Sequence, residues 1–480
     1  MLALDLIVLV PLLMAPLAVL SSRSWPEAPR WIALTAAAAQ GGLLLALGPA
    51  GIFTGIRLEG ADMGAVGLLW KVSTDGLSTP LLVLTSFIGV VAVSASWRIS
   101  ERSGAHFALL LLLQAAVAAV FLADNIIMFY IAWESVLIPM FLLIAGWGSS
   151  NSRKAAMKFL VYTFAGGAVL LLGILIATIS VQELSIAGMI AGREAIGSPE
   201  LVFWLMAAGF LVKLPVVPVH TWLPDAHTEA PTAGSIVLAG VLLKMGGYGL
   251  LRIALPLAPS AFASGRNVLA VLGVVGIIWG AATALVQTDL KRLVAYSSVA
   301  HMGFVVLAIS TGMANGLSAA LLTMVSHGFV AGMLFYLVGA LYERTHTREL
   351  ARFGGLGSVT PRWAVAFVFA SLASAGLPAL SGFPGEFVTI LESYSVYGWA
   401  VVIVGVGVVL AAAYNLRAVR ESVQGPVGDF TDLPDLDNRQ AATSALFAAG
   451  IITLGVAPWV IVNVSNAAVE TLTRLLATGA

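Results

Sequence analysis

Residues 204–252 read WLMAAGFLVKLPVVPVHTWLPDAHTEAPTAGSIVLAGVLLKMGGYGLLR. Two strongly apolar segments each carry one lysine, Lys213 and Lys244. Between them lies a short connection with Pro215, Pro218, Pro224 and Pro231, two histidines and two acids. A lysine deep in a membrane helix costs about 2.5–3.5 kcal/mol on insertion scales and marks function by default. Two of them flanking a proline-broken turn define what the rest of the chain must support.

The rest is membrane sequence. Apolar residues make up 59% of the chain and charged ones 10%, against about 25% charged in a soluble domain. Apolar runs of about 20 residues, enough to cross about 30 Å of hydrocarbon, recur from end to end. The first, Leu2 to Leu20, has no basic flank and carries Asp5, so it reads as a retained helix rather than a cleaved signal. The chain has 0 cysteines, which excludes disulfides, thiolate-held iron–sulfur clusters and Cys zinc sites. Gly-rich nucleotide fingerprints are absent. A net charge of +0 without a basic tail argues against nucleic acid.

The expected fold is an all-α polytopic membrane protein of about fourteen transmembrane helices. The spans are 2–20, 31–47, 77–96, 106–123, 126–146, 157–180, 201–218, 231–253, 268–287, 292–311, 315–342, 363–395, 399–418 and 441–465. Residues 48–76, with Gly51, Gly55 and Gly60, form the longest early loop, part of which is a candidate to re-enter the membrane. Residues 421–440 read as a polar loop. Of the 24 lysines and arginines, sixteen fall in loops after odd-numbered spans and six in loops after even-numbered spans or in the tail. The remaining two are Lys213 and Lys244. By the positive-inside rule the odd loops are cytoplasmic and both termini are outside.

Spans 7 and 12 look broken. Span 7 has Lys213-Leu214-Pro215 and then Pro218; span 12 has Gly376, Pro378, Gly382, Pro384 and Gly385. Proline removes a backbone donor, and irregular backbone survives at membrane depth only where protein buries it or it lines a wet cavity. Interruptions five spans apart point to two inverted five-helix repeats. The implied organisation is 1–105 for the first three helices, 106–255 for the first repeat, 256–420 for the second, and 421–480 for a loop and a last helix.

The rise of 1.5 Å per residue places Glu134 about 15 Å beyond Asp124-Asn125, Lys213 about 13 Å beyond Trp204 and Lys244 about 18 Å beyond Thr232, all near mid-membrane. Glu386 follows the break in span 12, and His301 and His327 lie in apolar spans among small residues. Each has a plain structural alternative: a buried histidine also packs, and a glutamate paired with a lysine also holds helices together. Burial disfavours the charged form of any side chain, so a buried lysine beside a glutamate is a switchable proton carrier, and histidines relay in the same range. Six such groups with two broken helices fit one proton path better than six accidents. The His220, Asp225, His227 and Glu229 set has the composition of a metal site, but its prolines favour a structural turn. Asp289, Lys291 and Arg292 read as a cytoplasmic turn and anchor.

These residues resemble a known family. The 211–252 stretch, LVKLPVVPVHTWLPDAHTEAPTAGSIVLAGVLLKMGGYGLLR, resembles the signature of antiporter-like proton-translocating subunits, in detail the M-subunit family of bacterial NADH–quinone oxidoreductase, respiratory complex I, the counterpart of mitochondrial chain 4. Supporting matches are IAWESVLIPMFLLIAGWG around Glu134, QTDLKRLVAYSSVAHMGF around His301, SHGFVAGMLFYLVGALYERTHTR around His327 and GLPALSGFPGEF around Glu386. The resemblance covers roughly residues 75–420. It implies that Glu134 partners Lys213, that Lys244 is the central lysine, that His301 and His327 link the halves, and that Glu386 is the acidic residue of helix 12. A glutamate there, and a chain that ends soon after span 14, resemble M rather than the sister L subunit.

The implied function is proton translocation in the membrane arm, driven by quinone reduction elsewhere in the complex. No cofactor is expected in this chain; NADH, FMN, iron–sulfur clusters and quinone are expected in other subunits. The implied partners are other membrane-arm subunits, including sister antiporter-like subunits on either side, within a bacterial inner membrane. The alternatives are a cation/proton antiporter subunit, although no cage of carbonyls and carboxylates suited to sodium is evident, or the membrane subunit of a hydrogenase-type complex. An enzyme acting on lipid or quinone has little support.

Overall fold

Proline and glycine set where the helices stop. The computed structural model describes residues 2–48, 58–60 and 70–478. It opens with α1 (Leu2–Ser21), α2 (Ala28–Ala46), α3 (Thr79–Ala95) and α4 (Ser103–Leu122). A small antiparallel hairpin precedes α3, with Leu58 of β1 (Leu58–Glu59) opposite Thr74 of β2 (Ser73–Thr74). Then come α5 (Ile126–Ser135), α6 (Leu137–Trp147), α7 (Ser152–Val181), α8 (Ile186–Ala191) and α9 (Pro199–Lys213). The break that follows leads to α10 (Trp222–Glu229), α11 (Thr232–Val237), α12 (Leu243–Gly249) and α13 (Leu255–Leu257). The remaining helices are α14 (Pro259–Leu285), α15 (Leu290–Ser310), α16 (Ala314–Thr345), α17 (Leu356–Val359), α18 (Pro361–Ser374), α19 (Gly382–Tyr397), α20 (Ile403–Val423), α21 (Asn438–Val456) and α22 (Trp459–Thr478).

Packing divides the chain into two compact units. One comprises Met1–Leu214, Val241–Val268 and Ile461–Ala480; the other comprises Pro215–Gly240 and Leu269–Val460. The grouping follows the proximity of backbone segments and does not coincide with the repeat boundaries read from the sequence.

Among the described residues, ten helical stretches are long and apolar enough to cross a bilayer, and Thr79–Ala95 is a shorter apolar helix. The count falls below fourteen because α2 and the 17-residue α3 are not among the ten, and because spans 7 and 12 come in short pieces. The piece before each break has 15 residues in α9 and 14 in α18, about 21–23 Å of helix. Conversely, Gly382–Val423 registers as one stretch of 42 residues. Spans 7 and 12 are broken where the sequence places the breaks, after Lys213 and after Ser374. In the second break Gly376 and Ala379 take positive φ values of 77° and 72°.

Span 5 holds a break that the sequence reading missed. The helix stops at Ser135 and restarts at Leu137, because Pro139 has no N–H to give the Ser135 carbonyl. Span 8 contains two π segments, Leu238–Leu242 and Leu250–Ala254, which bracket α12. Such local widenings are frequent at functional sites.

The expected last span, 441–465, is corrected. Pro458 splits it into α21 and α22, and α22 buries one stripe: Ile461, Val464, Ser465, Val469, Leu472 and Leu476. The spacing of that stripe is that of an amphipathic helix. Gly51 and Gly55, at the proposed re-entrant point, lie outside the described residues. Gly60 is described: its N–H donates to the Val72 carbonyl at 2.7 Å, so this end of the loop is a hairpin. In the first span Asp5 is buried, and its carboxylate accepts a 2.7 Å hydrogen bond from Trp70 Nε1.

Burial sorts the helices. In the apolar windows of Thr232–Leu257, Leu290–Ser310 and Ala314–Thr345, 94% of residues are buried; in Ser152–Val181 the share is 33%. A helix apolar all round belongs in the interior, and these three carry Lys244, His301 and His327. The outward faces stay apolar, with Ile179 and Val365 73% and Ile138 65% exposed, as a surface solvated by lipid requires.

Candidate proton-carrying site

In the first unit the site is built at the ends of broken helices. Glu134 is the penultimate residue of α5, held at the break that Pro139 imposes. It lies against α7 where Gly167 leaves room: a Cβ there would come 2.9 Å from the Glu134 carboxyl carbon. Lys213 is the last residue of α9 and is buried. Glu134 is the carboxylate that acts on it electrostatically. The two are not a direct ion pair, since no carboxylate oxygen lies within 4.0 Å of Lys213 Nζ among the described residues. The ammonium sits instead 4.9 Å from the Trp133 ring centroid, a cation–π placement. Trp133 in turn packs edge-on against Phe210, with ring centroids 5.4 Å apart. The two residues expected to partner each other are near enough to interact electrostatically but do not form a direct pair.

Lys244 is fully buried on α12, between the two π segments. Gly246 lets this helix approach α9: a Cβ there would stand 2.5 Å from the Phe210 carbonyl and 3.0 Å from Leu214. Tyr248, one turn on, donates to the Phe121 carbonyl at 3.1 Å. A further turn on, Arg252 forms an ion pair with Asp75, with both side chains largely but not fully buried. Burial alone would raise the Asp75 carboxyl, but the Arg252 charge and hydrogen bond, with the N–H groups of Leu77 and Ser78, hold it below its ordinary 3.8. A cavity of about 300 Å³ lies beside this pair, lined in part by Asp124, Thr471 and Leu472. Neither the pair nor the π segments were visible in the sequence, because Asp75 and Arg252 are 177 residues apart.

In the second unit the structure brings three expected residues into one place. His301 Nδ1 lies 2.6 Å from Glu386 Oε1. Its other nitrogen lies 3.3 Å from Ser374 Oγ, at the end of α18. The Asn415 amide donates to the same hydroxyl at 3.2 Å. The His327 ring is 5.6 Å from that of His301, centroid to centroid. His301, His327, Glu386, Ser297, Thr323 and Ser374 all line one buried cavity of about 10 Å³, room for about one water. The break between α18 and α19 makes this possible: it ends one helix at Ser374 and starts the next so that Glu386 projects into the same space. An imidazole bonded to a carboxylate at one nitrogen and a hydroxyl at the other can take up a proton on one side and release it on the other.

The His220, Asp225, His227 and Glu229 set does not close on a common point. Asp225 pairs with Arg292 at 3.3 Å, His227 stacks on Phe335 at 4.5 Å, and His220 meets the edge of Tyr296 at 6.5 Å. The 289–292 turn is partly corrected. Asp289 caps α15 through the Arg292 N–H at 2.9 Å, as a turn residue should. Lys291 is only 5% exposed and donates to the Ala230 carbonyl at 2.5 Å, so it is an interior residue. Its surroundings in sequence gave no sign of that.

Comparison with known proteins agrees with this geometry. Residues 123–411 match the family model described as NADH:quinone oxidoreductase/Mrp antiporter, transmembrane. The chain is 38% identical to NADH-quinone oxidoreductase subunit M of Rhodobacter capsulatus, over 98% of this chain and 96% of that one. A chain of respiratory complex I from Thermus thermophilus with bound NADH superimposes with a TM-score of 0.89 at 28% identity, covering 98% of this chain and 99% of that one. A chain of the Mrp complex from Dietzia sp. DQ12-45-1b shares the fold, with a TM-score of 0.87 at 20% identity over 100% and 99% of the two chains. The buried lysines, the His–Glu cavity and the broken helices thus sit in a chain that belongs to the NADH:quinone oxidoreductase/Mrp antiporter family of membrane subunits, among relatives of the subunit M type.

Proposed function

We propose that this chain is a proton-translocating membrane-arm subunit of an NADH–quinone oxidoreductase. The observation that carries the reading is the small cavity that His301, His327 and Glu386 share, where a carboxylate, two imidazoles and hydroxyls gather around room for about one water. Glu134 and Lys213 supply a second carrier pair in which each charge sets the proton affinity of the other. Lys244 is the buried lysine between them in function. Quinone reduction elsewhere shifts the electrostatics along the arm, and the carriers load protons on the cytoplasmic side and expel them outside. A buried charge a few ångströms away is sufficient to move a proton on or off such groups.

In this reading the chain is a translocase component with no redox centre. NADH, FMN, iron–sulfur clusters and quinone belong to other subunits, and sister antiporter-like subunits flank it. It crosses a bacterial inner membrane about fourteen times, with inverted repeats over 106–255 and 256–420 and both termini outside.

The test is Lys213→Ala and Glu134→Gln in the assembled complex, reconstituted in vesicles. Each variant assembles with its partners and loses coupled proton translocation. A normal proton-to-electron ratio in either variant refutes the assignment.

A further inference from the structure

The break that closes α10 leaves backbone carbonyls without helical partners, and side chains satisfy them. The Ser235 hydroxyl donates to the His227 carbonyl at 2.9 Å. The Arg348 guanidinium donates to the Thr228 carbonyl. The Lys291 ammonium donates to the Ala230 carbonyl at 2.5 Å. Pro231 follows at once and cannot continue the helix. Two cations at a helix C-terminus also complement its dipole.

These caps differ in chemistry. A guanidinium keeps its proton under all working conditions, whereas a buried lysine can release one. Arg348 is fixed further by Asp289, whose carboxylate lies 3.1 Å away. The backbone beside it is pinned too: the Leu290 N–H donates to the Arg348 carbonyl at 2.8 Å, and the Leu350 N–H donates to the Thr288 carbonyl at 2.9 Å. Lys291 is thus the one titratable member of an otherwise rigid cap. The charged groups acting on it are Arg348 from the segment after α16, Asp289 at the start of its own helix and Glu229 from α10. Its chain neighbour Arg292 is turned to Asp225.

Its position matters as much as its chemistry. Lys291 lies one residue from the half-exposed Arg292, just beneath the end that the lysine and arginine count assigns to the cytoplasm. It is on the same helix as His301, ten residues on, about 15 Å further into the membrane. Ser297 and Ser298, both buried, lie between them, and Ser297 also lines the His301–Glu386 cavity.

We propose that Lys291 is a proton-loading residue for the His301–Glu386 relay, taking protons at the cytoplasmic end and passing them inward along α15. In the step, the Lys291 amine accepts a proton from hydronium at that end, leaving water, and becomes the ammonium. The ammonium then gives a proton to water in the polar seam past Ser298 and Ser297, and the imidazole of His301 takes one up from that water. The amine is regenerated with no net change. This inference rests on the reading of the chain as a proton translocator and adds a residue outside the set that established the reading.

The experiment compares Lys291→Gln and Lys291→Arg in the complete complex, reading three quantities: assembled complex, NADH-driven electron transfer with an artificial acceptor, and proton translocation per electron. Both replacements keep an N–H donor for the Ala230 carbonyl and remove the titration. The expected result is normal assembly, normal electron transfer to the acceptor and loss of proton translocation in both. Full translocation in either variant overturns the proposal. Failure of both to assemble also overturns it, since Lys291 is then a structural cap. Lys213→Ala is run in parallel: if it pumps normally, the parent reading fails, whereas its loss alongside intact Lys291 variants sinks only the loading role.

Discussion

Replacing Gly167 by alanine tests the Glu134–Lys213 pair without touching a titratable group. The new methyl falls on the Glu134 carboxylate, 2.9 Å from its carboxyl carbon. The methyl meets Glu134 Oε1 first, well inside contact distance, so restoring ordinary contact requires the carboxylate to retreat by about 1.5 Å. It is the far end of a flexible side chain, so the helices need not move, and alanine is the better helix former by about 1 kcal/mol. The two charges start more than 4.0 Å apart. With an effective dielectric constant of about 20, a further 1.5 Å away from the lysine removes at most about 1.1 kcal/mol of attraction, about seven-fold in proton occupancy. Gly167→Ala is therefore expected to leave assembly and thermal stability unchanged and to lower proton translocation per electron by up to about seven-fold. The assay is acridine-dye quenching against NADH oxidation in membrane vesicles, with Glu134→Gln as the reference for complete loss. Wild-type coupling in Gly167→Ala would refute the argument that the position of the Glu134 carboxylate sets the affinity of Lys213.

Glu386→Gln keeps a side chain that can bond His301 and removes its charge; the complex should assemble and lose coupling, as read by the proton-to-electron ratio. His301→Ala goes further, leaving a buried carboxylate without its imidazole at a cost of about 1–3 kcal/mol or more, so a lowered melting temperature should accompany the lost coupling. Asp75→Asn leaves the largely buried Arg252 with only the more distant charge of Asp124 to offset it; a charged group that loses a hydrogen-bonded partner costs about 1–3 kcal/mol, so a lowered thermal stability is expected. The acid response has a definite sign. Because the Asp75 carboxyl is held below 3.8 in the fold, the stability it contributes is complete above about pH 4 and is lost as pH falls through the folded value. In detergent unfolding scans the wild type should lose this contribution in acid, and Asp75→Asn should show a correspondingly flatter acid limb.

The sequence determined the class of this protein because membrane crossing is a local property. A run of apolar residues long enough to span the hydrocarbon has one stable fate, and the prolines at 215, 218, 378 and 384 mark where a helix must stop. It also singled out the candidate residues: a charged or titratable residue inside such a run is costly, which is why Glu134, Lys213, Lys244, His301, His327 and Glu386 stood out. Only the tertiary structure decided which of them meet. The 2.6 Å bond between His301 and Glu386 joins residues 85 apart, and the Lys291 cap on Ala230 joins residues 61 apart. Lys291 looked like a surface turn because its neighbours are polar, and depth cannot be read from polarity at a helix end. The Arg252–Asp75 pair and the π segments around Lys244 were hidden for the same reason. They arise from how helices pack against one another, and packing has no signature in a single strand of sequence.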